Sequence, residues 1–301
     1  MNIKDFSHWK EYKGNSMGSG RSEKIWLTLD NEVGLFKFPK LFSDGNITTE
    51  HISEKLASDI ANILDVPCAK IDIGTYNGKF GSMSYKINKD NEFLMEGISF
   101  INKSYPDYDI YKLYDPVQNI YYSLPIIYPI VKDLNCEKEF IEMMVFDALI
   151  GNSDRHHSNW AVLKTFEGYN RLLSGYSPLY DNGSSLCSYV KESDIDSFLG
   201  KDTRRMVSLV TTKSKSRIRI DSQNPKEPRH DSVLLHLFTN KEYRVHFIPF
   251  AEKLISRMTE QNIDNILNGY SDDIISCKRK ELIKKFLIHK ILIIYEILKG
   301  G

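Results

Sequence analysis

The segment Gly151-Asn-Ser-Asp154-Arg-His-His-Ser-Asn159 holds a carboxylate and a carboxamide with four residues between them. That is the Asp-to-Asn spacing of a phosphoryl-transfer loop. The Asp154 carboxylate would meet the hydroxyl that attacks a γ-phosphate, and the Asn159 side-chain oxygen would reach a Mg²⁺ on the nucleotide phosphates. A short loop brings both to one point. Further along, Tyr180-Asp181-Asn182-Gly183 closes a short apolar run. An Asp at the end of a strand, with Gly two residues later, matches a metal-binding position, and carboxylate oxygens are hard ligands that suit Mg²⁺. Asn182 stands where kinases place Phe, so no Phe packing switch is expected.

Upstream, Ser16-Met-Gly18-Ser19-Gly20-Arg-Ser22 precedes a strand. Glycines there would let backbone N–H groups approach phosphate. The pattern is neither a complete P-loop nor a full G-x-G-x-x-G, so it carries little alone. Lys37 lies on the next strand, where a kinase puts the lysine that contacts the α/β-phosphates, with Lys40 as a nearby alternative. Glu54 lies on the following helix, where a kinase places the carboxylate that orients that lysine. A lone Asp-x₄-Asn is common in polar loops, Asp-Asn-Gly is usually a turn, and Lys37 alone would be an edge-strand lysine. The functional reading comes from their order: Gly-rich loop, strand Lys, helix Glu, Asp-x₄-Asn, Asp-x-Gly.

The elements that must position these groups are legible from periodicity. Residues 25–29 and 33–38 read as two strands, and two more flank Asn77-Gly78, a strong hairpin signal. A further strand is expected at 92–95. Thr49 is placed to cap a helix to about residue 64, with Ile52, Leu56, Ile60 and Leu64 on one face. After residue 100 the pattern turns helical. Asn135 is placed to cap a helix that Gly151 stops, and amphipathic helices are expected at 243–258 and 277–298. On the last of these, Leu282, Phe286, His289, Leu292 or Ile293, and Ile297 read as the core face. The aromatic stretch 105–128 reads as packing or substrate surface.

The chain has 301 residues, 41% hydrophobic and 27% charged, an ordinary globular composition that excludes a disordered or fibrous class. Forty basic residues balance forty acidic ones, which argues against a dedicated nucleic-acid binder. The cluster Arg204, Arg205, Lys213, Lys215, Arg217 and Arg219 reads as a solvated face, or as a contact for an acidic substrate or nucleic acid. Cys68, Cys136, Cys187 and Cys277 stand alone, so neither a disulfide framework nor a zinc site is expected, and a reducing cytoplasm is the default. Adjacent His156 and His157 with no cysteine nearby make a poor zinc site. There is no apolar signal core at the start, and 286–298 is interrupted by His289, Lys290 and Glu296, so no membrane span is expected. Secretion by a signal-free route stays open.

The chain resembles HipA-like serine/threonine kinases, and within them the shorter, proinflammatory members. The resemblance rests on SMGSGRSEK, GLFKFPK, SEKLASDIANILDVP, GNSDRHHSN and LYDNGSSL, and covers about residue 16 to at least 235. Asp202-Thr-Arg204, Ser214-Lys-Ser-Arg217 and His230-Asp231 are similar to the same family's C-terminal half. The Asp-Arg-His-x-x-Asn pattern also occurs in phosphoinositide kinases, so it speaks for phosphoryl transfer more firmly than for a protein substrate. The resemblance implies an α+β, two-lobed protein-kinase-like fold: a small β-rich lobe over 1–97 and a larger helical lobe over 98–301. It implies Asp154 as catalytic aspartate and Asn159 and Asp181 as Mg²⁺ ligands. Lys37 and the loop residues Ser16, Gly18, Ser19 and Gly20 would hold ATP phosphates, and Glu54 would orient Lys37. Adenine would lie against a hinge near 96–100, including Glu96. His156 would be the structural histidine of the pair, and Arg155 would brace the loop against an acidic group. Autophosphorylation in the Gly-rich loop is implied, with Ser16, Ser19 and Ser22 as candidates. The toxin members carry an extra N-terminal segment and act with an antitoxin. This sequence begins almost at the phosphate loop, so only a separately encoded antitoxin is expected. The alternatives are a lipid or small-molecule phosphotransferase and a nucleotide-binding pseudokinase that works as an interaction module.

Overall fold

A computed structural model describes residues 3–13, 23–167 and 170–300. Its first part is a six-stranded sheet. The strands are β1 (Lys4–Asp5), β2 (Lys10–Glu11), β3 (Lys24–Leu29), β4 (Glu32–Lys37), β5 (Ile71–Tyr76) and β6 (Lys79–Tyr85), in spatial order β1-β5-β6-β4-β3-β2. Alternation along the strands buries Leu27, Phe36 and Met83 on one face. Phe6 and Trp9 close that face, and the Phe6 ring meets Trp9 and Phe36 edge-on. Asn77 and Gly78 both hold positive φ, 50° and 76°, and link Tyr76 to Lys79 across the β5–β6 pair. This is the two-residue hairpin that the Asn-Gly signal predicts, because its backbone matches the strand twist.

Between β4 and β5 lies α1 (Glu50–Ile63), which buries Ile52, Leu56 and Ile60 at the expected spacing, with Leu64 buried at its end. Thr49 is the residue before the helix, but its hydroxyl does not cap it. It donates instead to the Ser188 carbonyl at 3.3 Å, tying the start of α1 to a distant segment.

The expected strand at 92–95 is β7 (Glu92–Glu96), followed directly by α2 (Gly97–Ser104). A small hairpin follows, β8 (Tyr114–Asp115) with β9 (Ile120–Tyr121), and then α3 (Leu124–Asp133) and α4 (Glu137–Ile150). Cys136, not Asn135, precedes α4; Asn135 turns the chain at a φ of 51°. Gly151 stops α4 in the left-handed region, φ 69°, as its lack of a Cβ permits. Strands β10 (Ala161–Glu167) and β11 (Asn170–Tyr176) then form a second sheet in the order β11-β10-β7. So β7 hydrogen-bonds outside the six-stranded sheet.

The rest is helical: α5 (Ile195–Leu199), α6 (Arg204–Val210), α7 (His230–Thr239), α8 (Lys241–Arg257), α9 (Glu260–Asn268) and α10 (Cys277–Leu298). The largest core cluster runs from α1 through α4 to α8 and α10, so α1 shares a core with the helical part. On α10 the buried face differs from the expected one. It includes Lys290 and Ile294, while Leu292 is 53% exposed. The i, i+4 row Leu282, Phe286, Lys290, Ile294 sets that face, and a polar residue within it does not break the row.

The junction of β7 and α2 has no room for a side chain at Gly97. A Cβ there would lie 2.2 Å from the Trp160 ring. That ring cannot shift freely, because Trp160 Nε1 donates to the Tyr122 hydroxyl at 2.9 Å and the ring packs on Phe140 and Tyr176. Gly97→Ala is therefore expected to destabilise the fold by about 1–3 kcal/mol, read as a fall of several degrees in Tm. An unchanged Tm would show that the junction yields.

Candidate active site

The last residue of β4, Lys37, bridges two carboxylates. Its Nζ lies 2.8 Å from Glu54 Oε1 on α1 and 2.9 Å from Asp181 Oδ1, in the segment after β11. Strand, helix and distant loop meet at one ammonium. Burial alone would lower the Lys37 pKa, but Asp181 and then Glu54 outweigh it and hold the group above the ordinary lysine range. Lys37 in turn draws Asp181 down to about 2, so that carboxyl stays ionised. Glu54 is 3% exposed, and its burial pushes its pKa up against the pull of Lys37. Lys40, the nearby alternative, pairs instead with Glu50 at 2.9 Å.

Arg155 fixes the loop that follows α4. Its guanidinium is 1% exposed and five bonds leave it. Nε and Nη2 donate to the two Asp147 oxygens of α4 at 2.8 and 2.7 Å. Nη1 donates to the Asn159 carbonyl at 2.6 Å and the Tyr180 carbonyl at 2.9 Å. Nη2 also donates to Asn182 Oδ1 at 2.6 Å. Helix α4, the Asp154 loop and the Asp181 segment are thus locked to one planar cation, whose fixed fork suits several acceptors at once. Asn182 is buried, and this bond satisfies its side-chain oxygen. Asp181 itself holds a φ of +56°. That left-handed conformation costs about 1–2 kcal/mol in a non-glycine residue, and the bonds of its two neighbours to Arg155 hold it there.

Asp154 is anchored through its backbone and leaves its carboxylate at the surface of the loop. Its N–H donates to Asn152 Oδ1 at 3.1 Å, and Asn159 Nδ2 donates to its carbonyl at 2.8 Å. Its side chain is 34% exposed, with Oδ1 3.3 Å from Arg217 Nη2. Arg217 also donates to Glu227 at 2.5 Å. Burial lowers the His156 pKa, against the opposing pull of the Asp154 and Asp181 carboxylates. His157, rather than His156, is the residue that packs beneath the loop, against Tyr108 and Tyr122. Its pKa falls to about 4 through burial.

Glu96 ends β7 near these groups. Burial raises its pKa, while Ser158 and Lys24 pull the other way and Asp181 adds to the rise. Residues 97–100 are the first turn of α2, not an open connector. The Gly97 and Ile98 N–H groups donate to the Trp160 and His157 carbonyls at 2.9 and 3.0 Å. Ser16, Gly18, Ser19, Gly20 and Ser22 lie outside the described residues. Three contributors were not singled out for these roles by sequence. Lys24, level with Lys37 across β3 and β4, faces Asp181 and Glu96. Asp147 pairs with Arg155, and Arg217 reaches Asp154. Asp147 sits in an otherwise apolar helix run, which was the available signal. Lys24 and Arg217 lie in stretches that carry the family resemblance, but nothing in the sequence attached these roles to them.

No family model matches the chain. The fold is that of HipA-like kinases: HipA in a complex with HipB and operator DNA from Shewanella oneidensis MR-1 matches with a TM-score of 0.57 at 14% identity, over 96% of this chain and 69% of that one. A crystal structure of a Helicobacter pylori proinflammatory kinase, CtkA, matches with a TM-score of 0.80 at 20% identity over 99% of both chains. In sequence, the serine/threonine-protein kinase CtkA of Helicobacter pylori is 26% identical over 200 residues. That alignment takes in 64% of this chain and 58% of the relative, so the match spans less than two thirds of the relative's length. The resemblance read from the motifs and the comparisons agree.

The Arg155 clamp makes a stability prediction. Arg155→Met leaves Asp147 buried without its partner and should cost about 3–5 kcal/mol in denaturant unfolding. Adding Asp147→Leu should recover part of that loss, because the two side chains act as a unit. Strictly additive losses would show that the pair does not couple.

Proposed function

We propose that the chain is an ATP- and Mg²⁺-dependent protein kinase that transfers the γ-phosphoryl group to serine or threonine hydroxyls. One observation carries this reading: Lys37 sits 2.8 Å from Glu54 and 2.9 Å from Asp181, beside the clamped loop that bears Asp154 and Asn159. ATP would lie between the part over 1–97 and the helical part over 98–301, with Glu96 at the adenine side and residues 16–20 near the phosphates.

The donor set fits a hard divalent cation. Asp181 is kept ionised by Lys37. Asn159 commits its side-chain nitrogen to the Asp154 carbonyl, so its oxygen is the atom it can offer a metal. Asp181 and Asn159 would therefore hold Mg²⁺, which would neutralise charge on the phosphates when bound. Lys37 would bind phosphate oxygens, and Glu54 keeps its ammonium aimed. Asp154 would orient the attacking hydroxyl and accept its proton. Arg217 would hold the Asp154 carboxylate in place. Positioning and charge do most of the work, because phosphoryl transfer needs little covalent help.

The same reading includes autophosphorylation at Ser16, Ser19 or Ser22, a cytoplasmic location and, as partner, a separately encoded antitoxin. No helix among the described residues is long and apolar enough to cross a membrane.

The test is γ-labelled ATP with protein substrates and phosphoinositides, followed by mass spectrometry of the products. Labelled serine or threonine in protein is expected. Lipid labelling alone would replace the substrate class, and ATP binding without turnover would favour an interaction module. Asp154→Asn should lower kcat by roughly 10²–10⁴-fold while leaving the fold intact; a native rate would remove Asp154 from its role. Lys37→Met should raise the KM for ATP and lower kcat together, and unchanged ATP kinetics would move the phosphate contact elsewhere.

A further inference from the structure

Helix α10 runs beneath the catalytic loop, and its buried row contains a lysine. Lys290 is 2% exposed and, among the described residues, has no ion pair. Asp231 acts on it from α7, but that carboxylate is already held by Arg229. Lys290 Nζ donates instead to Ser214 Oγ at 2.6 Å. Ser214 Oγ lies 2.9 Å from His230 Nδ1, and the His230 N–H donates to the Ser214 carbonyl at 3.0 Å. Three polar side chains from α10, the loop after α6 and the start of α7 thus form one buried unit.

That unit abuts the start of the catalytic loop. A Cβ on Gly151 would lie 2.6 Å from the Phe286 ring and 3.5 Å from Ser214 Oγ. The His230 ring is 1% exposed, and the Asn152 backbone acts on it, although Nε2 keeps no hydrogen bond of ordinary geometry. Asn152 is the residue whose side chain accepts from the Asp154 N–H and donates to Asp147 at 3.0 Å. From Lys290 the hydrogen bonds run amine, hydroxyl, imidazole; the unit then meets the loop by packing at Gly151, and Asn152 beside it holds the Asp154 N–H.

A buried amine without a counter-ion is costly, and a methionine would fill the same space. Burial presses the Lys290 ammonium down to about 7, with Asp231 and Cys187 opposing the fall. The mechanism above uses none of the three groups. We infer that Lys290 is a positioning residue: through Ser214 and His230 it fixes residues 151–152 and so the placement of Asp154. The inference rests on the kinase reading, and its test separates the two.

The unaltered chain is compared with Lys290→Met, Ser214→Ala and the double variant. Each single change should lower kcat about 10-fold with the KM for ATP nearly unchanged, since a small misplacement of a reacting group is costly. The double variant should be no worse than the worse single, because both interrupt one path. Amide exchange across residues 151–159, followed by mass spectrometry, should quicken in both variants while α8 keeps its protection. Should Lys290→Met fail to fold, Ser214→Ala and His230→Asn decide by the same readings. Native kcat with native exchange in Ser214→Ala, or losses that multiply in the double variant, would overturn the inference. A wild type that transfers no phosphate would overturn the kinase reading instead, and exchange at 151–159 would still decide whether this unit holds the loop.

Discussion

The Arg155 guanidinium is the contact on which the site's geometry depends. Asp147 comes from α4, Asn159 from the loop that follows, and Tyr180 and Asn182 from beyond β11, and all four meet at this one cation. Burying an ion pair brings little net stability, since desolvation offsets most of the attraction. What it brings is uniqueness. With every acceptor satisfied, the loop carrying Asp154 and the segment carrying Asp181 have one relative arrangement. Helix α4, buried on nearly every side from Phe140 onward, then seats that arrangement in the main core, through residues such as Phe140, Met144 and Phe146.

The sheet is joined to this frame through α1. Glu50 and Glu54 stand one turn apart on the helix and so share a face. Each carboxylate takes a lysine from the β4 region, Lys40 and Lys37 respectively. Glu50 also accepts from the Tyr189 hydroxyl at 2.5 Å and from Ser184 Oγ at 3.2 Å. Gly183 packs so closely there that a Cβ would sit 3.0 Å from the Glu50 carbonyl. Arg279 of α10 adds a bond to the Val190 carbonyl at 2.8 Å and another to Glu192. The orientation of Glu54 is therefore set at the start of α1, by the segment that follows Asp181.

Much of this was legible in the sequence because chemistry restricts residue type and spacing locally. Asp154, Asn159 and Asp181 are named by short motifs, and α1 and α10 by periodicity. The Asn77-Gly78 turn follows from its need for two positive φ values. What was not legible depends on pairing across distance or on a choice between neighbours. Arg217 lies 63 residues from Asp154 and reads as one charge in a basic run. His156 and His157 are adjacent, and only packing against Tyr108 and Tyr122 decides which goes inside. Lys290 reads as an interruption of an apolar stretch, although its row is buried, because burial of a lone amine depends on Ser214, 76 residues away. Asn135 and Cys136 differ by a single residue, and a left-handed turn at the first leaves the second to start the helix.

The charge arrangement follows from the same contacts. Lys24, Lys37 and Lys40 line the sheet side, facing Glu96, Asp181 and Glu50. Asp181 is ionised yet half exposed, at 49%, whereas Glu54 behind it is sealed. Lys37 thus has one partner it keeps and one that faces the solvent. On the kinase reading, a nucleotide phosphate would take the outer place at Lys37 while a divalent cation took Asp181. The lysine would exchange one anion for another and the aspartate one cation for another, so neither charge would be left unpaired in a partly desolvated cleft. A site built this way needs no large rearrangement of charge when it fills, which is the condition for electrostatic preorganisation.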